Sequence, residues 1–200
     1  MQKQTWKPST LIAPIPPAMV TCGTMEESNI ITIAWTGIVN TIPPMTYISV
    51  RPERYSYDII KNSGEFVINL TTSNLVRAAD FCGVRSGANL NKFEEMKLTK
   101  APVSQLSCPC IDESPLNLEC KVKEIIPLGS HHMFLAEIVA VNVAEEYIDE
   151  SGRLRLDKAS IAAFAHGEYY ELGRKLGSFG YSVQKKKKAK NNKLNKNRRK

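Results

Sequence analysis

The feature that most constrains this chain is a succession of short, apolar, β-branched runs, each closed by turn residues. They are Ala18–Cys22, Ile30–Trp35 (IITIAW), Thr46–Val50 (TYISV), Glu65–Leu70 (EFVINL), Leu116–Ile126 and Met133–Val143. Runs of this length, rich in Ile, Val, Thr and aromatic residues, fit a buried pleated surface. Gly129-Ser130 between the last two predicts a hairpin. Two stretches carry helical spacing instead: Ser56–Asn62, ended by Ser63-Gly64, and Leu75–Phe81, stopping at Gly83. Pro8, Pro14, Pro16 and Pro17 keep the N-terminal segment extended. The stretch Asp157–Tyr181 mixes short apolar pieces with four glycines and yields no definite element. Many strands, few helices and short turns predict a mainly β barrel or sandwich rather than a doubly wound sheet.

The formal charge of +7 is not spread over this body. Ten of the 27 Lys and Arg lie between Lys185 and Lys200, where no acid occurs, leaving 17 bases against 20 acids, a net of −3. A basic, Asn-containing block with almost no apolar residues cannot offset its ordering entropy, so the tail is expected to be disordered. A solubilising extension is the plainer expectation for it than contact with nucleic acid or anionic lipid. No apolar run reaches the ~20 residues that cross a bilayer, and Met1–Pro8 lacks a secretory h-region. Cytoplasmic location and no membrane association are expected.

Cysteines stand at 22, 82, 108, 110 and 120 with no CxxC pair, and Cys108-Pro-Cys110 has no second pair to complete a zinc site. Cys22 and Cys120 lie in strand-like stretches and read as buried, reduced thiols. Histidines 131, 132 and 166 are too few and wrongly spaced for a metal, and none is expected. The glycine-rich Gly173–Gly180 has no strand before it, so it is no dinucleotide fingerprint. A Walker loop, HExxH and GxSxG are missing too, which argues against the standard hydrolases.

Three polar clusters remain. In Asn29–Asn40 (NIITIAWTGIVN) a buried strand runs into Trp35, Thr36 and Gly37; taken alone, it reads as a core tryptophan and a tight turn, or as a flat wall beside backbone donors. In Ser49–Asp58 (SVRPERYSYD), Arg51 and Arg54 flank a Pro-led turn at a helix start, where guanidinium, hydroxyl and free N–H groups suit a phosphate as well as a solvated surface turn does. In Phe81–Phe93 (FCGVRSGANLNKF) a helix end and a flexible loop carry Arg85, Ser86, Gly87 and Lys92 toward a possible anionic or electron-rich ligand.

The order of these clusters resembles the flavin reductase-like, FMN-binding split-barrel family, and within it the flavoredoxin-type proteins. The matching stretches are NIITIAWTGIVNTIPPMTYISVRPERYSYDII, EFVINL, DFCGVRSG…NKF, LECKVKEIIPLGSHHMF and YYELGRKLGSFGYSV. The resemblance implies a domain over residues 8–183, between an N-terminal extension at 1–7 and a basic tail at 184–200. It implies a six-stranded antiparallel Greek-key barrel with added helices, homodimeric, with non-covalent FMN near the subunit interface. Positions carried over as cofactor-binding are Asn29, Thr32, Ala34, Trp35 and Thr36; Arg51, Ser56 and Tyr57 on the phosphate side; Ser86, Gly87, Asn91 and Lys92 in the loop over the flavin; and His131 and Phe164.

On that basis Arg51 and Ser56 hold the phosphate, Trp35 packs beside the ring, and Lys92 acts on the pyrimidine end of the ring. His131 either faces the flavin or bonds a backbone carbonyl in its turn. No side chain need act as acid or base, because the redox chemistry is the cofactor's own. The expected function is an FMN oxidoreductase drawing on NAD(P)H as a transient substrate, or on a protein donor. The alternative is a flavoredoxin-type electron carrier with little NAD(P)H activity and a redox protein partner.

Overall fold

The computed structural model describes residues 1–184, so the basic tail expected to be disordered lies outside the described residues. Strands β1 (Ala18–Gly23), β2 (Ser28–Ile33), β3 (Thr36–Asn40) and β4 (Met45–Val50) lead to helix α1 (Tyr55–Ser63). Strand β5 (Glu65–Asn69), helices α2 (Val76–Val84) and α3 (Lys92–Met96) and the short strands β6 (Lys100–Ala101) and β7 (Cys110–Ile111) follow. The long hairpin β8 (Leu116–Pro127) and β9 (His132–Val143) and a small hairpin, β10 (Ala162–Ala165) and β11 (Glu168–Glu171), complete the described elements.

Seven strands form one antiparallel sheet in the order β2-β1-β5-β8-β9-β4-β3. Its two edge strands are consecutive in sequence, separated only by Ala34-Trp35. β2 pairs with β1 and β3 with β4, and Ser49 N donates to Trp35 O at 2.9 Å where they meet. The sheet therefore curls until its edges join through one bent strand, the split barrel that the family resemblance implies; counting β2 and β3 as one strand gives the six strands implied with it. β3 itself was not legible, because Trp35-Thr36-Gly37 reads as a turn, whereas the backbone only bends there and stays extended.

The apolar runs follow from burial on both sides. Val20, Cys22, Ile31 and Ile33 point into the barrel beside Ile48, Phe66, Ile68 and Phe134, capped by Tyr57 and Ile60 of α1. Met19 and Ile30, of opposite parity, pack outward under Leu75, Ala78, Ala79 and Phe93. Such strands read as continuous hydrophobic stretches, not alternating ones. Burying one side chain of this size contributes about 1.5–3 kcal/mol. All five cysteines are free and buried, as expected of Cys22 and Cys120.

Glu119 of β8 is fully buried. Its carboxylate accepts from Ser104 N (3.0 Å), Ser104 Oγ (2.9 Å), Gln105 N (2.7 Å) and Asn142 Nδ2 (3.0 Å), and so pins the 102–109 loop to the barrel. Burial pushes its pKa up, but these bonds outweigh burial and hold it below the ordinary carboxyl range. A lowered pKa gives stability that is present above the ordinary value and lost as pH falls through the lowered one. Glu119→Ala is expected to cost about 3 kcal/mol, as several charge-assisted bonds vanish, lowering Tm by roughly 6–12 °C. Melts of Glu119→Gln should show a flatter decline of Tm in acid than wild type; identical profiles would dismiss the role.

Candidate functional site

The split in the barrel carries a cleft in two adjoining compartments that share Ile31, Arg51, Arg54 and Gly83. The first, about 310 Å³, is polar. Arg51, Arg54, Arg85 and Lys92 face one acid there, Glu53, whose Oε1 is 3.4 Å from the Arg51 guanidinium. Arg54 caps α1 in extended conformation without a side-chain capping bond, and the first two helical residues, Tyr55 and Ser56, line the compartment. An uncapped helix N-terminus with convergent cations is a favourable anion site. Ser56 is buried and accepts a 2.7 Å hydrogen bond from Asn29 Nδ2 of β2, which fixes the floor.

Lys92 is 4% exposed, and its ammonium donates to Ile30 O (2.7 Å) and Cys82 O (2.8 Å). Burial draws its pKa below the ordinary lysine value. Across the floor, Gly87 approaches Asn29 so closely that a Cβ there would lie 2.1 Å from Asn29 Oδ1. This is a cradle that only glycine fits.

The second compartment, about 370 Å³, is flat-walled and more apolar. The backbone bend at Ala34-Trp35 forms one side, and the Trp35 ring is 46% exposed. His131 stacks on it with centroids 5.9 Å apart and planes 11° from parallel. Burial first, and then the Arg51 guanidinium, hold the His131 pKa below the ordinary histidine range. Opposite stand Phe164 of β10 and Tyr169 of β11, edge to face at 5.2 Å. Tyr169 donates to Asp80 Oδ1 of α2 at 3.1 Å, and burial together with that carboxylate raises its pKa to about 12.

Most sequence-predicted positions converge here. Asn29, Arg51, Ser56, Ser86, Gly87 and Lys92 line the polar compartment; Thr32, Ala34, Trp35, His131 and Phe164 line the flat one. Three do not. Thr36 has turned away into β3, its Oγ1 donating to Tyr47 O at 2.6 Å. Tyr57 lies one helix position past Ser56 and so faces the core, its hydroxyl 2.6 Å from His132 Nδ1. Asn91 is the N-cap of α3, accepting from Phe93 N.

The structure also places three of these side chains more closely. Lys92 lines the polar compartment, its stem threading back under β2 to the Ile30 carbonyl. Trp35 is no core tryptophan, since the bend between β2 and β3 carries it to the surface. His131 bonds Ser130 Oγ at 3.0 Å rather than a backbone carbonyl. The Asp80–Tyr169 pair went unnoticed, because nothing local links residues 89 apart.

The sequence profile of the flavin reductase like domain matches residues 12–173. An uncharacterized protein of Archaeoglobus fulgidus is 31% identical over 125 residues, 62% of this chain and 71% of that protein. Flavoredoxin of Desulfovibrio vulgaris (Miyazaki F) superposes with a TM-score of 0.85 at 31% identity, over 92% of this chain and 100% of that one. Flavoredoxin from Methanosarcina acetivorans gives 0.82 at 26% identity, with the same coverage of both chains. The domain match spans most of the chain, and this protein belongs to the flavin reductase-like family.

Proposed function

We propose that the cleft holds FMN non-covalently, phosphate in the polar compartment and isoalloxazine in the flat one, in a cytoplasmic, homodimeric oxidoreductase. The observation that carries this is the junction itself: a cationic, hydroxyl-lined pocket at an uncapped helix start opens directly beside a half-exposed aromatic wall. When bound, FMN supplies the redox chemistry, accepting reducing equivalents from NAD(P)H or a protein donor and passing them on.

The chain's own residues bind and orient. Arg51, Arg54 and Lys92 neutralise the phosphate, and each charge-assisted hydrogen bond contributes about 1.5–3 kcal/mol. Asn29 holds Ser56 in place for the same anion. Trp35 and His131 wall the ring end and limit water, which strengthens nearby charges. A dimer through the bent strand is supported by Ile38 (73% exposed), Val39 (52%) and Ile42 (88%), which follow Trp35 closely in the chain and form an apolar surface that a monomer has little reason to show.

A flavoredoxin-type carrier is the second reading, favoured by the full-length superposition on flavoredoxin. The purified protein is expected to be yellow. Anaerobic mixing with NADH or NADPH should bleach the flavin band of a reductase within seconds. A carrier resists both nucleotides and bleaches with a reduced ferredoxin-like donor. A colourless preparation that takes up no added FMN would refute both.

A further inference from the structure

We propose that Asp80 is a positioning residue: through the Tyr169 hydroxyl it holds the β10–β11 hairpin against α2, and so fixes the width of the slot in which a redox partner meets the flavin ring. The inference rests on the FMN reading above and adds the element that decides how large a partner reaches the ring. β10 and β11 form a two-stranded sheet of their own, outside the seven-stranded one. A lone hairpin has little stability in water, so its place is set by its attachments.

Those attachments are one-sided. β10 is held by backbone: Ala162 N donates to Thr71 O at 2.9 Å, and Phe164 exchanges two bonds with Ile15, at 3.0 and 2.8 Å. β11 has only β10 beside it. Among the described residues, its single hydrogen bond to anything beyond the hairpin runs from the Tyr169 hydroxyl to Asp80 Oδ1, 3.1 Å. The acceptor is a fixed post. Asp80 follows Ala79, whose carbonyl takes the Thr32 Oγ1 proton, and Thr32 of β2 is itself part of the compartment wall. The donor stands on the outer strand, three residues past an exposed turn at His166. Tyr169 and Phe164 form one wall of the flat compartment and Trp35 lies on another. With the bond made, the compartment measures about 370 Å³, the size of a small-molecule site. A small flat molecule enters it, and a protein surface does not. Releasing the bond lets β11 swing from α2 and opens the ring to larger partners.

Two measurements on Tyr169→Phe, Asp80→Leu and Asp80→Asn test this. The first is hydrogen exchange in the flavin-free full chain. Amides paired between β10 and β11 should exchange at least about tenfold faster in Tyr169→Phe and Asp80→Leu, with the β5–β8 amides unchanged. Asp80→Asn keeps an acceptor for the phenol and should stay within about threefold of wild type. The second is oxidation of the FMN-loaded, photoreduced protein by ferricyanide and by cytochrome c, at high salt so that the altered charge is screened. The cytochrome rate should rise at least about fivefold relative to ferricyanide in Tyr169→Phe and Asp80→Leu, and not in Asp80→Asn. Exchange or an oxidant ratio that stays at the wild-type value in Tyr169→Phe overturns the proposal, as does Asp80→Asn behaving like Asp80→Leu. A wild type that takes up no FMN removes the flavin reading instead, and the slot's role with it, even where exchange responds as expected.

Discussion

Gly87→Ala is expected to weaken flavin binding by roughly 30–100-fold, the loss of about 2–3 kcal/mol, and to lower Tm by several degrees as the floor repacks. The added methyl would lie 2.1 Å from Asn29 Oδ1 and 2.6 Å from Asn29 Cγ, inside any real contact distance. Asn29 cannot step aside cheaply. It sits on β2, is 5% exposed, and its Nδ2 holds Ser56 Oγ at 2.7 Å. Moving it releases the hydroxyl that, in our reading, faces the phosphate, and pushes the Ser86–Gly87 backbone into the compartment.

Gly83 is the internal control. Its added methyl would meet Thr32 Cβ at 3.3 Å, a contact that a few tenths of an ångström of movement relieves, so Gly83→Ala should shift affinity by less than about fivefold. Titration of both variants with FMN, alongside a melt, separates the two cases. Unchanged affinity in Gly87→Ala would mean that this floor does not touch the ligand.

The barrel was legible because its strands are buried on two faces. The parity of Met19 against Val20, or Ile30 against Ile31, is invisible as alternation, yet their combined apolarity marks each run as a strand. α1 announced itself through Gly64, whose positive φ ends the helix by a left-handed cap. α2 runs through Gly83 rather than stopping before it. A small residue there lets the helix lie against Thr32, whose Oγ1 bonds Ala79 O.

What escaped was structure specified by distant partners. β3 exists because β4 pairs with it, Ser49 N of β4 donating to the Trp35 carbonyl just before it, and α3 is a single turn fastened by Lys92. The β10–β11 hairpin turns at His166-Gly167, both with positive φ, and its place over the cleft depends on contacts with Ile15 and Asp80. At the site, the sequence order of the clusters brought most of the lining together. The path of Lys92 did not follow from order, because its buried stem reaches back to the Ile30 and Cys82 carbonyls.

That stem sets up the last expectation. Lys92→Met retains most of the side chain's apolar length but removes the donor shared by Ile30 O and Cys82 O. Two buried acceptors are then unpaired, at a cost of about 2–4 kcal/mol, and Tm should fall by roughly 5–12 °C. The polar compartment also loses one of four cations, so FMN affinity should drop at least about tenfold. Lys92→Arg should not restore it, since a planar fork cannot follow a path made for a narrow stem.

The pH dependence distinguishes the two roles. Burial lowers the Lys92 pKa, so as pH rises the folded chain releases this proton before the unfolded chain does. Between the lowered value and the ordinary lysine range the unfolded state binds more protons, and this group's contribution to stability increases with pH. Flavin affinity should fall across the same window, because the neutral amine no longer attracts the phosphate. Opposite slopes of stability and affinity in the wild type, both missing from Lys92→Met, would tie one ammonium to fold and site together. Parallel slopes, or slopes that persist in the variant, would assign the effect to other groups.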